Sequence, residues 1–191
     1  MLTTLLALVS VSAPANDLPI CPIMGHEVPS LKADYSDYNG VRYFYCCEGC
    51  KDPFEKTPDK IVANLPKGKT AGIFLFDPVS GNRLKLEKAI KEYSDYNGVR
   101  FMFASAANKA AFDQDPKKYG QMPKMEALYC PVGKEAVPSY GAASGYVDHE
   151  GTRYYLCCAG CEGPMKKEPA KHVDAAKAHV KKPGIATEKA K

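Results

Sequence analysis

Eight cysteines carry the chemistry available to this 191-residue chain, and they fall into two groups of four: Cys21, Cys46, Cys47 and Cys50, then Cys130, Cys157, Cys158 and Cys161. In each group one cysteine precedes a proline and the other three are bunched as Cys-Cys-x-Gly-Cys. Spacings of three and four residues place Cys47 with Cys50, and Cys46 with Cys50, on one helix face. The partial positive charge at a helix N-terminus favours thiolate over thiol. A thiolate pair there, closed by a third thiolate from a distant turn, is how small zinc-type sites are assembled. Adjacent side chains in extended chain point to opposite faces, so Cys46 and Cys47, or Cys157 and Cys158, reach one ion together only if the backbone turns between them. Each site then has either four thiolates, suiting tetrahedral Zn²⁺, or three plus another ligand, suiting trigonal Cu(I) or an open zinc site. His26 has Glu135 as its counterpart in the second group and His149 has no histidine counterpart in the first, so both are expected at the surface rather than as shared ligands.

The elements that must position these thiols come from an internal repeat. Residues 35–42 read YSDYNGVR and residues 93–100 read YSDYNGVR again, with a weaker third copy from Tyr146 to Arg153. Alignment on Gly40, Gly98 and Gly151 brings three aromatic stretches into register: Tyr43-Phe44-Tyr45, Phe101-Met102-Phe103 and Tyr154-Tyr155-Leu156. A bulky residue and then a proline follow each time, as Phe54 and Pro58, Phe112 and Pro116, Met165 and Pro169. The copies open on CPIMG, DPVSG and CPVG. Asn-Gly between strand-like residues predicts a hairpin, and the stretch from Gly49 to Lys56 predicts a short helix burying Phe54. The three glycines are expected to supply positive φ, the aromatics to form core, and Arg42, Arg100 and Arg153 to make structural ion pairs. The fold class expected is α+β: three tandem small units, each a Cys-Pro or Asp-Pro turn, a β-hairpin and a short helix. Their boundaries are residues 16–64 (four Cys), 73–123 (no Cys) and 128–175 (four Cys). Linkers 65–72 and 121–128 join them. A Lys/Ala-rich tail, 176–191, is expected to be a solvated helix fraying into disorder. In the middle unit Asp77, Ala104, Ser105 and Asn108 stand where the four thiols would be, so all four positions changed together.

This pattern resembles the YHS and TRASH families: [CD]-P-[VI]-x-G, tyrosine and glycine, an aromatic strand, C-C-x-G-C, and a bulky residue before proline. The resemblance implies small treble-clef-like modules linked to heavy-metal sensing, trafficking and resistance. It also implies ligands at Cys21, Cys46 or Cys47, and Cys50, and at Cys130, Cys157 or Cys158, and Cys161. The third copy lacks a counterpart of Met24, so Met24 is not a ligand common to both sites.

The net charge of +4 is too small to argue for nucleic acid. Residues 1–15 read as a signal peptide: an apolar run from Leu2 to Val11, with no Lys or Arg before it, then Ala13 and Ala15 at a cleavage-like site. No other segment is long and apolar enough to cross a membrane. The expected function is an exported, periplasmic or secreted, non-catalytic metal-binding protein. It would hold Zn or Cu, or a heavier ion, at two sites, as carrier, buffer or sensor, with a metal-trafficking protein as partner. Two alternatives follow from the same residues: a disulfide-stapled structural or partner-binding module, and a C-x-x-C thiol-disulfide oxidoreductase, for which no thioredoxin-like βαβ pattern is present.

Overall fold

The computed structural model describes residues 18–86 and 92–188; the expected signal peptide, 1–15, lies outside them. The chain is mixed α+β. Tyr35–Tyr38 (β1) and Val41–Phe44 (β2) form the first hairpin, in register Tyr35↔Phe44 to Tyr38↔Val41. Asn39 and Gly40 join them with φ of 52° and 74°, two left-handed residues in a turn whose twist matches that of the strands. Gly40 is required for a second reason. A Cβ there would lie 3.1 Å from both Phe74 Cε2 and the Tyr155 hydroxyl. After the hairpin come a 3₁₀ turn, Glu48–Cys50, and two short helices, Lys51–Lys56 (α1) and Pro58–Ala63 (α2). Phe54 is fully buried, as expected. Pro58 does not end the helical region: it opens α2 at its first position, where a missing N–H costs nothing.

Gly72–Phe74 (β3) follows, then the hairpin of Tyr93–Tyr96 (β4) and Val99–Met102 (β5), and helices Ala106–Gln114 (α3) and Pro116–Tyr119 (α4). Met125–Ala127 (β6), the short pair Tyr129–Cys130 (β7) and Glu135–Ala136 (β8), the hairpin of Gly145–His149 (β9) and Thr152–Leu156 (β10), and helices Glu162–Lys167 (α5) and Pro169–His172 (α6) complete the series. Two expected linkers thus end in strands. Residues 65–72 run into β3, and 121–128 contain β6, in which Glu126 and Ala127 are fully buried.

These strands decide how the segments pack. A five-stranded sheet has the order β1-β2-β3-β5-β4, and β3 pairs antiparallel with β2 and parallel with β5. The first two hairpins therefore share one sheet through β3. The third hairpin forms its own sheet, β6-β10-β9, with β6 parallel to β10. The two sheets meet through aromatic rings. Phe74 and Phe76 lie 5.8 and 5.4 Å from Tyr146, and Phe76 lies 5.7 Å from Tyr155. Buried residues of all three segments belong to one core cluster.

The tail differs from its expectation. Residues 173–179 form a 3₁₀ helix with Ala176 buried, and His179 stacks on Tyr129 at 3.9 Å. Beyond it the chain bridges β6 at Glu126↔Lys181 and β1 at Tyr38↔Ile185. Thr187 Oγ1 accepts a hydrogen bond from Asp37 N–H at 2.8 Å. Unpaired edges of both sheets hold it down, which lysine content alone does not reveal.

Candidate metal centres

The first cysteine group is built at the junction of β2 with the following helix. Cys21 lies in a tight turn; its N–H donates to His26 O at 2.7 Å and its carbonyl accepts from Gly25 N–H at 2.9 Å. Cys46 leaves β2, and Cys50 closes the 3₁₀ turn and opens α1. The Sγ atoms of Cys21, Cys46 and Cys50 all lie within 4.8 Å of one another, with Cys46 and Cys50 3.9 Å apart. The second group repeats the arrangement. Cys130 ends β7 opposite Glu135, and Cys157 and Cys161 flank the turn after β10. Cys130, Cys157 and Cys161 also bring their Sγ atoms within 4.8 Å, and Cys157 and Cys161 are 3.7 Å apart.

Those separations carry chemical meaning. A disulfide needs sulfurs about 2.05 Å apart. Two thiolates on one zinc ion, each about 2.3 Å from it, lie about 3.8 Å apart in a tetrahedral site. The observed 3.9 and 3.7 Å bracket the second value, and the eight cysteines are free thiols. Each triangle of sulfurs can therefore hold a metal ion.

Adjacent cysteines separate as extended backbone dictates. Cys47 has φ −159° and ψ 163°, and Cys158 φ −149° and ψ 160°. Cys46 and Cys157 turn inward, half-buried, while Cys47 and Cys158 are exposed and stand outside the triangles. Each still touches one member: Cys47 is 3.4 Å from Cys50, and Cys158 is 3.3 Å from Cys161.

The thiols in each triangle are electrostatically unequal. Burial opposes ionisation of Cys21, but backbone N–H groups of Met24, Cys46 and Ile23 aimed at its sulfur bring its pKa below the usual thiol value. Cys130 is lowered likewise against its burial by backbone groups of Cys157 and Gly133, the latter donating at 3.2 Å. Their partners move the other way. Burial and the neighbouring thiols push Cys46 and Cys50 up. Burial and the Glu135 side chain push Cys157 up, and burial with Cys158 pushes Cys161 up to about 11. A bound cation would favour ionisation of the thiols that burial and their neighbours push up. Exposed Cys158 is lowered by hydrogen bonds from Cys161.

The middle segment shows what replaces this chemistry. Asp77 occupies the place of Cys21 and is fully buried. Its Oδ1 accepts from Val79 and Ser80 N–H at 2.9 and 3.1 Å, and its Oδ2 accepts from Ala104 N–H and Asn108 Nδ2, both at 2.7 Å. Ser105 caps α3 by accepting from Asn108 N–H at 3.2 Å. The four replacements form a hydrogen-bonded latch joining the same turn to the same helix start. Sequence comparison finds the lost thiols but not the latch, whose signal is a carboxylate and an amide exchanged for cysteines at paired positions.

Residues outside the triangles sort themselves. Each recurrent arginine lies opposite an aspartate across its hairpin, Asp37↔Arg42, Asp95↔Arg100 and Asp148↔Arg153. Each Nε donates to that carboxylate at 2.8 Å. The guanidinium carbons sit 3.7, 4.1 and 3.9 Å over Tyr35, Tyr93 and Tyr146. His26 is exposed and His149 half-buried, and neither belongs to a thiol group. Glu135 lies closer to the chemistry than its sequence position suggested. A Cβ on Gly133 would lie 2.6 Å from Cys157 Sγ, 3.5 Å from Cys130 Sγ and 3.6 Å from Glu135 Oε1, so all three crowd one bare glycine.

An α+β chain with thiol triangles at two strand–helix junctions defines a class: small cysteine-clustered modules able to bind metal. A family model for the YHS domain matches residues 20–63 and again residues 75–122. The match covers two of the three expected copies, including the one without thiols, and agrees with the thiol geometry in pointing to metal binding. No curated protein and no solved structure matches the chain. Among the described residues no helix is long and apolar enough to cross a membrane.

Proposed function

We propose that this chain is an exported, non-catalytic carrier of thiophilic metal ions, built from three copies of one YHS/TRASH-type, treble-clef-like module. One ion would sit on Cys21, Cys46 and Cys50 and another on Cys130, Cys157 and Cys161, with Cu(I) or Zn(II) as cargo. Thiolates select soft and borderline ions, and three of them suit trigonal Cu(I) or a zinc site with an open position. The reading rests on one observation above all: two separate triangles of sulfur, each at the spacing of ligands around a single ion. Export is supported by the apolar run Leu2 to Val11 with Ala13 and Ala15 behind it. The middle module keeps the junction closed by hydrogen bonds and would carry no ion.

Native mass spectrometry of the mature protein, taken from the exporting compartment without reductant or chelator, tests this. Two bound ions, and eight thiols reactive after their removal, are expected. A metal-free mass short of the reduced chain by two protons per disulfide would replace the carrier with a stapled structural module.

A further inference from the structure

Each triangle has a fourth thiol beside it that takes no part in the group. Cys47 and Cys158 are exposed, while Cys21, Cys50, Cys130 and Cys161 are buried. Their sulfurs lie 3.4 and 3.3 Å from Cys50 and Cys161. That is within ligand-sharing distance of one member but outside the set that closes on a common centre. The arrangement occurs at both junctions, with the same extended backbone. The approach is open in both. A Cβ on Gly49 would meet no atom within 4 Å, and one on Gly160 would meet only Cys158 Sγ, at 3.8 Å. A purely structural four-thiolate site would draw its fourth sulfur inward; here it stands at the mouth, with a bare glycine backbone next to it.

We propose that Cys47 and Cys158 are transfer ligands, through which each ion passes between its buried triangle and a thiolate-bearing acceptor. This rests on the metal-binding reading above and adds a route to it. The step is ligand exchange without change of oxidation state. The ion gains a bond to Cys47 Sγ as it loses Cys50 Sγ, then gains the acceptor's thiolates one at a time as Cys46, Cys47 and Cys21 leave one at a time. Each incoming thiol gives its proton to solvent and each departing thiolate takes one from solvent; with a dithiol acceptor, water fills the third position on the ion and one net proton is drawn from solvent. The ion is never without sulfur ligands, which lets a tightly held ion move quickly. Cys158 and Cys161 do the same at the second site.

The test uses the full chain loaded with Zn(II) under anaerobic reducing conditions, and the variants Cys47→Ser, Cys158→Ser and the double substitution. Native mass spectrometry reads stoichiometry, and stopped-flow transfer to a small dithiol and on to a chromophoric chelator reads rate. The expected result is two ions in every variant, with affinity within about threefold of the parent. Cys47→Ser should slow one of two transfer phases roughly tenfold or more, and Cys158→Ser the other. Parent rates should rise in proportion to dithiol concentration. Unchanged transfer in the double variant overturns the proposal. So does loss of one ion per substitution, which would make these thiols integral ligands while leaving the metal-binding reading intact. A parent chain that takes up no ion overturns both.

Discussion

Replacing Asp77 by alanine should destabilise the protein more than any surface aspartate would. The carboxylate has no exposure and accepts four hydrogen bonds. Two of these, from Ala104 N–H and Asn108 Nδ2, cross from the turn to the start of α3, and both are 2.7 Å long. Hydrogen bonds to a charged group contribute about 1.5–3 kcal/mol each, so the crossing pair sets an expected loss of about 3–6 kcal/mol. In a chain of this size that corresponds to a fall in melting temperature of about 10 °C. Asp77→Asn should recover little of it. Whichever way the amide is turned, its NH₂ meets two donors. Urea unfolding of the metal-loaded protein measures the loss, and a double-mutant cycle with Asn108→Ala should show a coupling of about 1–3 kcal/mol. A loss under about 1 kcal/mol, or no coupling, would show that the latch does not hold the junction.

Two further outcomes follow. Restoring the thiols with Asp77→Cys, Ala104→Cys and Asn108→Cys together should give a third bound ion by native mass spectrometry; two ions in a folded triple variant would break the equivalence between latch and metal site. Zinc affinity should climb with pH. Cys46 and Cys50 at one site, and Cys157 with Cys161 (pushed up to about 11) at the other, hold protons that an ion must displace. Protons compete with the ion, so each one released adds about tenfold per pH unit. At least two per site make that roughly a hundredfold or more per unit between pH 6 and 8. Competition titrations showing a flat profile would mean that the cysteines do not bind as thiolates.

The hairpins were legible because Asn39-Gly40 and Asn97-Gly98 state their turn type locally. In the third, Glu150 with φ of 48° takes the asparagine's place before Gly151, and tertiary contacts hold what the residue itself does not favour. The grouping of cysteines was legible in register, and strand geometry made a shared ion for Cys46 and Cys47 depend on a turn between them without deciding between three and four thiolates per site. What escaped depends on contacts between distant parts. β3 is a strand because β2 and β5 offer it edges on both sides, and β6 because β10 does. The tail pairs at Lys181 and Ile185 because β6 and β1 leave an edge open to it. Residues such as Gly72 or Lys181 carry no local preference for pairing. The helices opened by Pro58, Pro116 and Pro169 escaped for another reason: proline both ends one helix and starts the next, and only the chain's direction afterwards decides.

A carrier of the kind proposed would have to surrender its ion and keep its fold, and this architecture would separate the two tasks. An isolated module of some 45–50 residues has a marginal core, and metal commonly supplies the balance. Here β3 fuses two hairpins into one sheet, and Phe74, Phe76, Tyr146 and Tyr155 join that sheet to the third hairpin. The Asp–Arg pairs clasp every hairpin without thiols. An ion on the thiols would be left to fasten only the junction between one turn and one short helix, the job that Asp77 performs unaided in the middle segment. Chelation should therefore loosen residues 21–25 and 46–51, and 130–134 with 157–162, in hydrogen exchange, while protection of β2, β3, β5 and β10 persists. Global unfolding on chelation would instead make the ion a structural staple, and a staple is poorly suited to delivery.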